Sequence, residues 1–192
     1  MLNRNLRLCG LLLTVLALQG CAAVAISGIA AGASVASDER TTGTVIEDQS
    51  IEFKIGRAIS ADKELDVQTH INTTSYNTIV LLTGEAPTED FRQRAVELAR
   101  NVEKVSHVHN EITIAAPSSL ISRSSDSVIT GKVKTKLLAD KNVSGLKVKV
   151  VTEKGVVYLM GLSSKSQADK ATDIARTTGG VQKVVKLFQY TD

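Results

Sequence analysis

The chain repeats itself, and an internal repeat restricts the architecture more tightly than length does. Residues 48–114 return, altered, as residues 126–190. The clearest marker is Val80-Leu81-Leu82-Thr83-Gly84 against Val157-Tyr158-Leu159-Met160-Gly161. Ile51, Ile55 and Ile59 match Ile129, Val133 and Leu137, and Ala99-Arg100 matches Ala175-Arg176. Val105 and Val108 match Val181 and Val184. Small register shifts between these blocks are expected where insertions fall in loops. Two copies of one module follow, each of about 70 residues, with domains expected at 46–115 and 126–192 and a serine-rich linker at 116–125. With only 3% aromatic residues, the cores must be built from Val, Ile, Leu and Ala.

Within each copy the pattern reads helix, strand, strand, helix, strand. Ile51, Ile55 and Ile59 recur every four residues and line one helix face. Val67, Thr69 and Ile71 alternate with Gln68, His70 and Asn72, which predicts a strand. Residues 79–83 form a short apolar strand, Phe91, Ala95, Leu98 and Val102 fall at helical spacing, and 108–114 closes the module. The second copy reads as 128–138, 146–151, 156–160, 166–177 and 183–190. Turn-forming segments at 74–77 and 153–155 predict an antiparallel hairpin. A helix crossover then lets the third strand pair parallel to the second. The predicted class is α+β: two tandem αββαβ domains, each a three-stranded mixed sheet with one face covered by two helices. A domain this small buries only about 60% of its unfolded surface, so the copies are expected to support each other.

These αββαβ copies, each with Val-x-Leu-x-Gly before the second helix, resemble BON domains (bacterial osmotically inducible and nodulation). The resemblance covers residues 45–192. Two such domains behind a lipid-attachment signal are similar to the dual BON-domain outer-membrane lipoproteins. That resemblance implies phospholipid-surface binding, support of outer-membrane integrity, and no catalysis. Gly84 and Gly161 fill the family's glycine position. A strand end that needs positive φ or a tight helix approach explains them better than close approach of a ligand.

The N-terminus carries its own signal. Arg4 and Arg7 precede an apolar run over 8–18, long enough for a signal-peptide core and too short to span a bilayer. Leu18-Gln19-Gly20-Cys21 then resembles a bacterial lipobox, which implies removal of residues 1–20 and lipidation of Cys21. Acyl chains contribute about 0.8 kcal/mol per buried CH₂, and two or more anchor a protein stably. Ala22 follows the cysteine where an Asp would favour inner-membrane retention, so the resemblance implies an outer-membrane anchor with the body in the periplasm. Residues 21–45 serve as lipidated end and tether. Cys9 leaves with the leader, so no free thiol or disulfide remains and thiol chemistry is excluded.

Charge separates the copies. Residues 38–116 carry eight Lys and Arg against fourteen Asp and Glu, a net −6. Residues 117–192 carry thirteen against six, a net +7. An acidic module is thus tied to a basic one, and the two are expected to dock with a contact weakened by salt. A basic module near a bilayer points to anionic lipid. Nucleic acid would suit the charge equally well, but the secretion signal argues against it. The predicted contact is the first helix of the second copy. Its inward stripe is Ile129, Val133 and Leu137. One step of about 100° away, Val128, Lys132 and Lys136 place an apolar residue beside two cations, as interfacial helices do. Lys134 adds to the patch. The matching stripe of the first copy is Ser50, Lys54 and Ala58, with Asp48 and Glu52 nearby, so that copy should bind lipid poorly. Lys147 and Lys149 either extend the patch or solubilise a sheet, and Lys183 and Lys186 read as ordinary surface.

Other constellations fail. His107 and His109 share one side of a predicted strand, and His70 could lie on its neighbour, but Glu103 and Glu111 complete no recognised ligand spacing. No Gly-x-Ser-x-Gly, serine triad or Gly-rich phosphate loop is present. No cofactor and no metal are expected. The reading is a membrane-binding protein rather than an enzyme, with the anionic phospholipid membrane as partner. The alternative is an adaptor for envelope assembly machinery that docks through the acidic half.

Overall fold

A computed structural model describes residues 40–117 and 120–192, so the leader, Cys21 and most of the tether lie outside the described residues. The order is α1 Thr42–Ala61, α2 Lys63–Gln68, β1 His70–Tyr76, β2 Ile79–Ala86, α3 Glu89–Arg100 and β3 His107–Ile114. The second copy is α4 Leu120–Ala139, a 3₁₀ turn Gly145–Lys147, β4 Lys149–Glu153, β5 Val156–Ser163, α5 Lys165–Arg176 and β6 Lys183–Tyr190. Each sheet has its hairpin antiparallel and its last strand parallel, in the orders β1-β2-β3 and β4-β5-β6. The class is α+β with two mixed three-stranded sheets.

Several boundaries differ from the sequence reading. Val67 and Gln68 end α2 rather than opening a strand, because Asp62 caps Glu64 and Leu65 and pulls the fully buried Leu65 into the core. Residues 74–76 stay in β1, and the turn narrows to Asn77-Thr78. Residues 146 and 147 form the 3₁₀ turn before β4. Helix α4 starts inside the serine-rich stretch, at Leu120.

Each hairpin turn is held by a buried carboxylate from the helix before it. Asp48 accepts from Asn77 N at 2.7 Å, Thr78 N at 2.8 Å and Ser75 Oγ at 2.7 Å. Asp126, its counterpart, accepts from Lys154 N at 2.8 Å and Gly155 N at 2.9 Å. Both turns need two consecutive residues at positive φ: Asn77 and Thr78 at 49° and 65°, Lys154 and Gly155 at 49° and 73°. That is the hairpin geometry whose twist matches the flanking strands. Three of these four residues are not glycine, and the charge-assisted bonds to Asp48 and Asp126 offset the conformational cost.

The central strand of each sheet is buried on both faces. Val80, Leu82 and Ala86 of β2 pack with Ile51, Ile55 and Ile59 of α1 and Ala95 and Ala99 of α3. The second copy packs Val157 and Leu159 against Ile129, Val133 and Leu137 in the same way. The alternate residues do something the sequence reading did not foresee. Leu81, Tyr76, Tyr158 and Met160 form a third cluster, to which Ile79, Val151, Leu162 and Leu187 add. The two sheets therefore lie face to face with helices outside, a four-layer stack. One face per sheet covered by helices was too few: the other copy covers the second face. The domains do dock, but the centre of the contact is apolar, which salt does not weaken.

The glycines split in their reasons. Gly84 has φ 111°, and a Cβ there would sit 1.9 Å from the His70 carbonyl oxygen. Gly161 needs no positive φ, but a Cβ would come within 2.9 Å of the Lys147 carbonyl oxygen.

Candidate functional site

The outer face of α4 combines four positions that the 3.6-residue period stacks along one line: Val128, Gly131, Thr135 and Leu138. Ile129, Val133 and Leu137 anchor the opposite face in the core. Val128 is 56% exposed and so is Leu138, at the two ends of a stripe about 15 Å long. Between them Gly131 has nothing near its missing side chain, and Thr135 turns its hydroxyl back onto the Gly131 carbonyl at 2.9 Å. The stripe is therefore apolar and low, with Lys132 exposed on one shoulder and Lys134 on the other. Lys136 is exposed too, but its ammonium donates to the Thr177 carbonyl at 3.2 Å, tying it toward α5.

The sequence reading missed the far end of this face. Gly145 packs so close to Leu137 and Leu138 that a side chain would collide with the Leu137 carbonyl. This crossing brings the 3₁₀ turn to the end of the helix and sets exposed Leu146 near exposed Leu138, with exposed Lys141 in the intervening loop. Leu138 was legible from its spacing to Val128, but the approach of Leu146 depends on a backbone crossing that periodicity cannot show.

Other lysines of the basic half serve elsewhere. Lys149 reaches across to the first domain, 2.9 Å from Glu52 and 3.4 Å from the Ser75 carbonyl. The Lys147 carbonyl accepts from the Tyr76 hydroxyl at 3.4 Å. Lys154, in the second hairpin turn, also reaches the first domain: its ammonium lies 2.9 Å from Glu85, a fully buried carboxylate. Lys186 pairs with Asp169 at 3.1 Å, an ordinary surface contact.

On the first domain, Asp48 is buried under its hairpin and Glu52 bonds Ser75 N and Lys149, so the carboxylates expected beside the matching stripe turn inward. The helix presents instead Ile46 and Phe53, the latter 65% exposed with the Arg57 guanidinium 5.8 Å above its ring. The histidines do not converge. His107 and His109 stack edge to face at 4.5 Å on β3, but His70 lies on the opposite edge strand, paired with Glu85 while His109 pairs with Leu81. Among the described residues no group of three or more His, Cys, Asp or Glu could hold a metal, and no helix is long and apolar enough to cross a membrane.

Comparison with known proteins fits this architecture. Residues 47–116 and 125–192 each match the BON domain family. The chain is 44% identical over 175 residues to the outer membrane lipoprotein DolP of Haemophilus influenzae, covering 91% of each protein. It is 40% identical to a 21 kDa hemolysin of Actinobacillus pleuropneumoniae, over 80% of this chain and 79% of that one. It is 32% identical to osmotically-inducible protein Y of Escherichia coli, over 80% of this chain and 78% of that one. Two αββαβ copies with their sheets in the same order, two family matches and these identities over most of the chain together make it a tandem-domain member of the BON family.

Proposed function

We propose that the chain is an outer-membrane lipoprotein, anchored through Cys21 with its body in the periplasm, whose second domain binds anionic phospholipid surfaces and thereby supports outer-membrane integrity. The observation that carries this reading is the outer face of α4, where exposed Val128 and Leu138 bracket a low stripe between Lys132 and Lys134. An apolar strip with ammonium groups on both shoulders suits a bilayer interface: the strip enters the acyl boundary while the lysines stay at headgroup level. Each such cation near an anionic surface contributes about 1 kcal/mol. The anchor is supported by the lipobox and by the outer membrane lipoprotein among the relatives.

A second reading, an adaptor for envelope assembly proteins, draws on Ile46 and Phe53, which leave an exposed apolar stripe on the first domain. Vesicle binding by the body without its lipid separates the two. Binding to anionic vesicles well above zwitterionic ones supports the membrane reading. Equal binding to both, or none, favours the adaptor.

A further inference from the structure

The contact between the domains is built from equivalent strands, so the two copies can be compared position by position. Tyr76 and Glu153 each close a hairpin, paired with Ile79 and Val156. Six residues further along the partner strands stand Glu85 and Leu162. At one end of the seam Tyr76 meets Leu162, its hydroxyl 3.4 Å from Leu162 N. At the corresponding other end, Glu153 meets Glu85. The same fold thus closes one end with an aromatic and an aliphatic side chain, and the other with two carboxylates.

Those carboxylates are deep in the contact. Glu85 is 0% exposed and Glu153 6%. Glu153 accepts from Asn72 Nδ2 of the first domain at 3.1 Å, and Lys154 of the second domain pairs with Glu85. Glu85 comes from β2, Asp126 from α4 and Lys154 from its own turn. Tyr158 of β5 lies next to it, with Glu111 of β3 on the far side of that phenol. His70 and Arg123 lie at the rim, where Arg123 and Glu85 both act on His70. Among the described residues, three carboxylates, Glu85, Glu153 and Asp126, thus gather with two permanent cations, Lys154 beside Glu85 and Arg123 in the cleft that Asp126 and Glu153 line.

We propose that the domain seam is a proton-dependent latch, in which closing the two sheets on each other takes up a proton at Glu153 and opening releases it. Burial, the strongest influence, holds the Glu153 carboxyl above its ordinary range; Glu85 and Asp126 push the same way, while Asn72 and Lys154 oppose them. The sign follows. A carboxyl that is more basic in the closed form strengthens closure at low pH, and that contribution is lost as the pH rises through the closed-form value. His70 works in the opposite sense, since burial and Arg123 hold its imidazole below the ordinary range and disfavour its protonation in the closed form. Opening would bare Leu81, Tyr158 and Met160, an apolar face the closed form hides. The latch does not depend on the lipid reading of α4.

The chain from Ala22 onward has no cysteine, so two can be introduced for spin labels. Exposed Glu97 on α3 and Lys170 on α5 report one on each domain. With His70→Gln in every chain to remove the opposing titration, Glu97→Cys and Lys170→Cys are measured across pH with and without Glu153→Gln. The latch predicts a closed-to-open ratio that falls by up to about tenfold per pH unit from the ordinary carboxylate range up to the closed-form value. Glu153→Gln, which can still accept from Asn72, should hold the closed distance throughout and melt higher at neutral pH. That melting advantage should vanish in acid. A distance that ignores pH in the parent, the same pH response in both chains, or a Glu153→Gln chain that melts no higher at neutral pH would each overturn the proposal.

Discussion

Leu81→Ala tests what holds the two domains together. Leu81 is fully exposed to the other sheet and fully hidden from solvent, in contact with Tyr158 and Met160 across the seam. Cutting it to alanine removes buried carbons that the facing sheets cannot fully replace, and such truncations cost about 2–5 kcal/mol. For a body of this size each kcal/mol lowers Tm by about 2–4 °C, so a fall of roughly 5–15 °C is expected. The ion pairs are a much weaker cement. Lys149–Glu52 is about one-third exposed on both sides, which limits it to about 0.2–1 kcal/mol. Raising salt from about 0.05 to 0.5 M screens such a pair but leaves apolar burial intact, and should move Tm by only about 2 °C. The assay is thermal unfolding of the unlipidated body, parent and variant, at both salt concentrations. If salt lowers the parent's Tm by more than Leu81→Ala does, the −6 and +7 charges hold the domains together and the apolar argument fails.

Val128→Glu should weaken binding of the unlipidated body to anionic vesicles more than Lys63→Glu on the first domain, although the lysine change alters charge by two and the valine change by one; burying Val128 is worth about 1.5–3 kcal/mol, or roughly tenfold or more in affinity. Gly84→Ala should destabilise by more than Gly161→Ala in urea unfolding, since it adds a left-handed φ to a collision with backbone; equal losses would refute the distinction. Asp126→Ala should cost about 1–3 kcal/mol by stranding the turn amides of Lys154 and Gly155, while Ser127→Ala, one residue on and exposed, should cost little; matching losses in the same denaturation would count against the carboxylate's role. Cys21→Ala should release the protein from the membrane fraction or leave it unprocessed, and unchanged outer-membrane fractionation of a processed chain would refute the anchor.

Much of each module could be read from local pattern, because the physics that decides it is local. Ile51, Ile55 and Ile59 point inward because a helix turns once in 3.6 residues, and the same period sends Val128 and Leu138 outward. Strand β6 begins and ends where the repeat placed it, at Lys183 and Tyr190. Other features carry no local signature. Asp62 caps α2, and the first residues of an apparent strand, Val67 and Gln68, became that helix's last turn, since a cap can override a short alternating stretch. Strand β2 opens on the apolar run Ile79 to Leu82, a pattern that goes with burial on both faces but does not name the second cover. Only the tertiary structure supplied the second cover, the other domain's sheet. It also reassigned lysines that sequence could count but not place. Lys149 and Lys154 belong to the seam and Lys132 and Lys134 to the open face of α4, because the partner of a charge is set by distances through space between residues far apart in the chain.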